Sequence, residues 1–202
     1  MIKFILFDLG GILVNDCSYE ILENIAAFLK KDIMEIRNVL QNHWCNVTTG
    51  KNTLLAVYNE LQADLNINSV DPNEILKIHL KTYNQYSRVP NRDILKLIQK
   101  LKKKYLVACL TNTEPEIFAI NKKRGLYKYF HKAFISTEIK MAKPDSKIFK
   151  KVLEDLDARP EETIFIDDKK ANVETANKIG INGILYYNLQ RLLRDLGKLK
   201  AL

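Results

Sequence analysis

The chain has 202 residues, of which 47% are hydrophobic and 28% charged, and a net charge of +8. That is apolar material for one full core and a small second lobe, which excludes a disordered chain. Three widely spaced cysteines (Cys17, Cys45, Cys109) and three scattered histidines (His43, His79, His131) form neither a disulfide framework nor a zinc pattern.

The opening "MIKFILFDLGGILV" is apolar, but Asp8 interrupts it and no small-residue cleavage site follows. It predicts a buried strand over Lys3 to Leu9 instead of a targeting segment. No other stretch nears the roughly 20 apolar residues of a membrane helix, so the expectation is no membrane partner and a cytoplasmic location. From Ser18 to about Tyr86 the pattern is helical. Ile21, Leu22, Ile25, Phe28 and Leu29 fall three and four apart behind Ser18, the expected N-cap. "DIMEIRNVLQNHW" begins with Asp32 and Glu35 at capping-box spacing, "KNTLLAVYNELQADL" gives a third helix, and Asp71 with Pro72 opens a fourth.

After "SRVPNR" helix and strand alternate. "RDILKLIQKLKKK" is a helix, "YLVACLTN" a strand, "EPEIFAINKKRG" a helix stopped by Gly125, and "KAFIS" a strand. "KPDSKIFKKVLEDL", "ETIFIDD", "KANVETANKIG" and "NGILYY" continue the alternation, with Gly180 ending the third of these. Such alternation predicts right-handed βαβ units, hence an α/β fold with a Rossmann-like parallel sheet flanked by helices. The four earlier helices form a small all-helical insert after the first strand. The expected division is a core of residues 1–15 and 89–202 and a helical domain of residues 16–88. The basic clusters at Lys102 to Lys104, Lys122 to Arg124 and Lys169 to Lys170 sit at helix ends or on polar faces. No aromatic-interleaved basic stripe accompanies them, which argues against nucleic acid as a partner. Nothing separates an oligomer's apolar face from a core-facing stripe, so no oligomeric state is expected over another.

Open α/β sheets bind ligands beyond the carboxyl ends of their strands. Three predicted strands end in polar groups: Asp8, then Thr111 with Asn112, then Asp167 with Asp168. One such end is routine, because loops begin there. Two acidic ends and a Thr-Asn pair on separate buried strands should instead converge on one rim. Each has a bland alternative: Asp8 closing a loop, Thr111 and Asn112 capping the helix after Glu114, and the acid pair favouring a helix N-terminus.

"FDLGG", "LTN", "KPD" and "FIDDKKANVETANKIG", in that order and spacing, resemble the four motifs of the haloacid dehalogenase-like superfamily of phosphohydrolases. The resemblance covers most of the chain outside the helical insert, and an insert in that position resembles the family's cap. It implies that Asp8 is a nucleophile forming an aspartyl-phosphate, and that Mg²⁺ is held by Asp8, Asp168 and the main-chain carbonyl of Gly10. It implies that Thr111, Asn112 and Lys143 bind the phosphoryl group, Lys143 also pairing with the nucleophile. Asp167 stands beside the metal ligand, either touching the metal or supporting it, and Asn172 hydrogen-bonds these acids or the loop. The partner so implied is a small phosphorylated substrate.

The sequence departs from the commonest family pattern at Gly10, where a second Asp serves as proton donor and acceptor. General acid-base catalysis contributes about 10²- to 10⁴-fold, so the departure bears on turnover. The chain most resembles a sugar-phosphate phosphatase branch in which "DLG" also occurs. The alternative is a weak or inactive member that binds a phosphorylated ligand or partner. Dehalogenation needs no metal, and the Asp167-Asp168 pair argues against it. Asn15 and Asp16 receive no catalytic role, and His43, Trp44, Tyr58 and Arg88 are candidate contacts from the insert, with Trp44 and Tyr58 favoured as its core.

Overall fold

The computed structural model describes residues 1–202. Five strands, β1 (Phe4–Phe7), β2 (Leu106–Thr111), β3 (Lys132–Ile135), β4 (Thr163–Asp167) and β5 (Asn182–Leu185), make one parallel sheet ordered β3, β2, β1, β4, β5. The helices are α1 (Ser18–Leu29), α2 (Ile33–Thr48), α3 (Leu54–Asp64), α4 (Pro72–Tyr86), α5 (Arg92–Leu101), α6 (Pro115–Lys123), α7 (Ser136–Ile139), α8 (Ser146–Asp155), α9 (Lys170–Lys178) and α10 (Leu189–Lys198). None is long and apolar enough to cross a membrane.

Alternate strand residues face opposite sides of the sheet, and both sides are covered. Ile5, Phe7, Val107, Cys109, Ile164 and Ile166 pack with Ile94 and Ile98 of α5 and Leu192 and Leu196 of α10. Leu6, Ala108, Leu110 and Phe165 pack on the other side with Phe149 and Val152 of α8 and Ala176 of α9. Burial on both faces is why the strands read as continuous apolar runs. The α/β architecture expected from the alternation is the one found.

Helices α1 to α4 gather around their own cluster, including Ile25, Ile36, Leu40, Val57, Tyr58, Leu61 and Ile75, and Ile117 of α6 joins it. The first turn of α6 is thus the seat of the insert. Glu116 accepts from the Leu54 N–H at 3.1 Å, and Tyr83 donates to Asn121 Oδ1 at 2.9 Å. Arg124 donates to the Ser87 carbonyl and to Asn84 Oδ1. Inside the cluster Tyr58 and His79 bond to one another through the hydroxyl and Nδ1.

Local details differ from expectation in four places. Ser18 is the first residue of α1 and not its cap; Asp16 Oδ1, two residues back, accepts its N–H at 2.9 Å. Asp32 caps α2 through the Met34 and Glu35 amides, but Glu35 pairs with Lys31 instead of reaching back. The one-turn helix α7 follows β3 where a loop is expected. The terminal helix α10 also lies outside the expected pattern, although Leu189, Leu192 and Leu196 carry helical spacing.

Candidate active site

Strands β2, β1 and β4 are neighbours, so their carboxyl ends meet on one rim, where the chain leaves β3 to continue on the far side of β1. Asp8 follows β1 and is 7% exposed; its N–H donates to the Ile166 carbonyl at 2.9 Å, tying it to β4. The Leu9 N–H donates back to Asp8 Oδ1 at 2.7 Å. Lys143 enters this rim from the loop before α8, its side chain fully enclosed. Its Nζ lies 3.0 Å from Asp8 Oδ1 and 2.6 Å from Asp167 Oδ2, and donates to the Leu110 carbonyl at 2.9 Å.

One lysine therefore serves two carboxylates. Lys143 is held protonated, the two acids outweighing the cost of burial. Asp8 is lifted from 3.8 to about 6, first by burial and also by Asp167, against the pull of Lys143. Lys143 lies nearer to Asp167 than to Asp8, which leaves Asp8 the less compensated acid.

Asp167 spends its oxygens on protein donors. Besides Lys143 it accepts the Lys169 N–H at 2.7 Å and the Asn172 amide at 3.0 and 2.9 Å. Asp168 does the reverse: its Oδ1 is buried without any hydrogen-bond partner, and burial followed by Asp167 raises its carboxyl above the usual range. Asp8, Asp167 and Asp168 each bring one oxygen within 4.8 Å of the others. Acidic oxygens converging with one left unpaired fit a hard divalent cation, which takes oxygen ligands. Gly11 makes this approach feasible. Its φ is +69°, and a Cβ there would overlap Asp168 Oδ2, whereas a Cβ at Gly10 would meet nothing within 4 Å.

Thr111 is buried at the end of β2, its hydroxyl making only a 3.3 Å contact with the Asn112 carbonyl. Asn112 is more committed than its sequence position suggests. Its Nδ2 donates to the Lys143 carbonyl at 2.7 Å and its Oδ1 accepts the Lys143 N–H at 2.9 Å. This two-way clamp fixes the backbone of Lys143 and leaves one amide hydrogen of Asn112 unused.

The family profile of haloacid dehalogenase-like hydrolases matches residues 5–186. The chain belongs to that family. Among curated relatives of this hydrolase, the D-ribitol-5-phosphate phosphatase of Bacteroides thetaiotaomicron is 26% identical over 194 residues, 89% of each chain. The bifunctional epoxide hydrolase 2 of Rattus norvegicus is 30% identical over 118 residues, 55% of this chain; that match spans 21% of the rat protein's length. A solved HAD family enzyme from Bacteroides thetaiotaomicron, in complex with magnesium and inorganic phosphate, superposes with a TM-score of 0.73 and 28% identity. That superposition covers 93% of this chain and 95% of the other.

Several residues of the hydrolase escape sequence reasoning. Gly11 carries no motif signal apart from its doublet with Gly10, and the Asn112 clamp depends on a contact 31 residues away. Glu114 has no sequence signal at all; it holds the N-cap position of α6 without capping it. Of the candidate contacts from the insert, His43 pairs with Glu60 and Asp64, Tyr58 is fully enclosed, Trp44 packs on the insert's core and Arg88 is exposed.

Proposed function

We propose that this hydrolase is a magnesium-dependent phosphatase of small phosphorylated metabolites, with Asp8 as its nucleophile. The observation that carries the reading is the buried contact of Asp8 with Lys143, in a cluster of acids that includes Asp168, one oxygen of which has no partner. Asp8 attacks phosphorus, the bond to the leaving oxygen breaks, and water then releases phosphate from the aspartyl-phosphate. Dividing one displacement into two lowers each barrier. Lys143 opposes the lift that burial gives the Asp8 carboxyl and so favours its ionised, nucleophilic form.

Lys143 holds the nucleophile and meets the phosphoryl oxygens, where its charge is worth more for being enclosed. The Thr111 hydroxyl and the remaining Asn112 amide hydrogen donate to the same oxygens. A Mg²⁺ held by Asp8, Asp168 and the Gly10 carbonyl supplies positive charge against the phosphate dianion. Asp167, bonded to Lys143, Lys169 and Asn172, supports the ligands instead of joining them. Residues 16–88 serve as a cap over a core of residues 1–15 and 89–202. The activity named for the Bacteroides relative, on D-ribitol 5-phosphate, favours a sugar-phosphate class.

The test is release of inorganic phosphate from sugar, aryl and acyl phosphates, with Mg²⁺ or chelator, by the native chain and by Asp8→Asn. Metal-dependent release that Asp8→Asn abolishes is expected. Release that survives either change overturns the reading. Gly10 favours one alternative, a protein that binds a phosphorylated ligand without turning it over; a folded chain that binds such a ligand and releases no phosphate would establish it.

A further inference from the structure

The net charge of the chain is confined to one layer of the fold. Residues 91–104, which hold α5, carry six Lys and Arg against Asp93, and residues 188–202, which hold α10, carry four against Asp195. The excess of eight on these two segments equals that of the whole chain; all other residues together hold 22 basic and 22 acidic side chains. Both helices lie on the same side of the sheet, where Ile94 and Ile98 share one cluster with Leu192 and Leu196. On the other side, residues 145–178, with α8 and α9, hold seven basic and nine acidic side chains. The two layers therefore differ in sign.

Few of these cations are neutralised within the layer. Asp93 pairs with Lys96, and Asp195 with Arg191 and Lys198, while Lys102 donates to the Tyr129 carbonyl. Arg92, Lys100, Lys103, Lys104, Arg194 and Lys200 are exposed and join no ion pair. The helix dipole gives a reason for a cation in the last turn of a helix, but Arg92 is the first residue of α5 and Arg194 lies mid-way along α10. Apolar side chains stand among the cations. Leu193 of α10 is exposed, and the Tyr187 ring just before α10 lies under the Arg191 guanidinium. A groove of about 690 Å³ lined by Met1, Ile2, Tyr105 and Leu199 has Lys104 and Lys200 in its walls, which brings the ends of α5 and α10 together. Ile2 precedes β1 and Tyr105 precedes β2, so this groove lies at the amino ends of the strands, opposite the rim that holds Asp8.

We infer that the layer of α5 and α10 is a docking face for the anionic surface of a lipid bilayer, on which the chain lies without any of its helices crossing. Each Lys or Arg held near such a surface strengthens binding about fivefold. Exposed apolar side chains between the cations add to it by entering the headgroup boundary. A nucleic acid also offers phosphates, but it gives Leu193 and the apolar groove nothing to enter. The Tyr187 ring, covered by Arg191, is not free to stack on a base. With the groove end of the layer turned to the bilayer, the rim at Asp8 faces away and stays open to substrate.

Co-sedimentation of the full chain with lipid vesicles tests this. Binding is expected to vesicles of phosphatidylcholine mixed with phosphatidylserine and not to phosphatidylcholine alone, and to weaken as salt rises from about 0.1 to about 1 M. Two triple variants, each reversing three exposed charges, separate a face from net charge alone: Lys100→Glu with Lys103→Glu and Arg194→Glu on the basic layer, and Lys147→Glu with Lys150→Glu and Lys178→Glu on the opposite one. The first is expected to weaken vesicle binding by about 10²-fold or more and the second by less than about threefold. The native chain's preference between the two vesicles decides the matter even if a variant does not fold. No preference for the anionic vesicles, or equal losses from the two triples, overturns the inference. So does displacement from the vesicles by duplex DNA or single-stranded RNA at equal phosphate concentration, which would make the layer a nucleic-acid face. None of these results depends on phosphate release, which tests the phosphatase reading separately.

Discussion

The rim of the sheet and the interior of the helical insert both bury polar side chains, and they do so on opposite terms. The insert pairs neutral groups: Tyr58 with His79, Tyr83 with Asn121, and Gln62 with the Val70 carbonyl. Burial keeps both members of its central pair uncharged, His79 falling to about 4 and Tyr58 rising well above its ordinary value. The rim gathers three acids around one lysine and leaves an oxygen of Asp168 unpaired. A fold that neutralises its polar groups in one lobe and concentrates bare charge in the other has marked where a charged ligand is bound, since uncompensated buried charge is costly anywhere else.

Removing the single cation breaks the rim most severely. Lys143→Met leaves Asp8 and Asp167 facing one another in a buried site, and is expected to cost about 3–5 kcal/mol of folding free energy. Urea unfolding would show the midpoint falling with the slope unchanged. Adding Asp167→Asn to the same chain should recover much of the loss, because the surplus negative charge is then gone. A Lys143→Met chain as stable as the native one would mean that the carboxylates are not held ionised by it.

A change of pH sets the two regions against one another. The folded value of His79, about 4, lies below its ordinary 6.5. Its contribution is therefore whole above pH 6.5 and is lost as pH falls through 4, about 3 kcal/mol in all. Asp8 runs the other way. Its folded value of about 6 exceeds 3.8, so the fold gains stability as pH drops across that interval. Burial also raises Glu114 and Asp168, which act in the same sense as Asp8 and do so equally in the native chain and in Asp8→Asn. The informative quantity is therefore the difference: relative to the native chain, Asp8→Asn should lose stability as pH falls from about 6 to 3.8. Superimposable profiles would mean that burial does not lift the Asp8 carboxyl.

The same contrast governs what the sequence could reveal. Period and punctuation announce elements one at a time, so the buried strands and the cap residues Asp32 and Asp71 were legible. The polar strand ends at Asp8, Thr111 and Asp167 pointed to the rim for the same reason, because ligands gather where parallel strands end. What was illegible depends on contacts across the fold. Asn112 looks like a free donor until Lys143 is seen to occupy both ends of its amide. Asp167 and Asp168 are identical neighbours in sequence, and only three-dimensional partners make one a support and leave the other open. Helix α10 was missed although its leucines carry the period, since the alternation of strand and helix offers no partner strand after "NGILYY".

The smallest effects come from two adjacent glycines that sequence alone treats alike. Gly11 sits at φ +69° with Asp168 where its Cβ would go, so Gly11→Ala meets both backbone strain and a displaced carboxylate. The left-handed conformation alone costs about 1–2 kcal/mol, and moving Asp168 should weaken magnesium binding as well. Gly10 has neither constraint. Its Cβ position is open, and Gly10→Ala is expected to leave stability within about 0.5 kcal/mol. Thermal unfolding of the two variants, followed by titration with Mg²⁺, separates them: one loses stability and metal affinity together, the other neither. Equal damage from both would mean that Gly10 is constrained by its backbone in spite of the open space at its Cβ position.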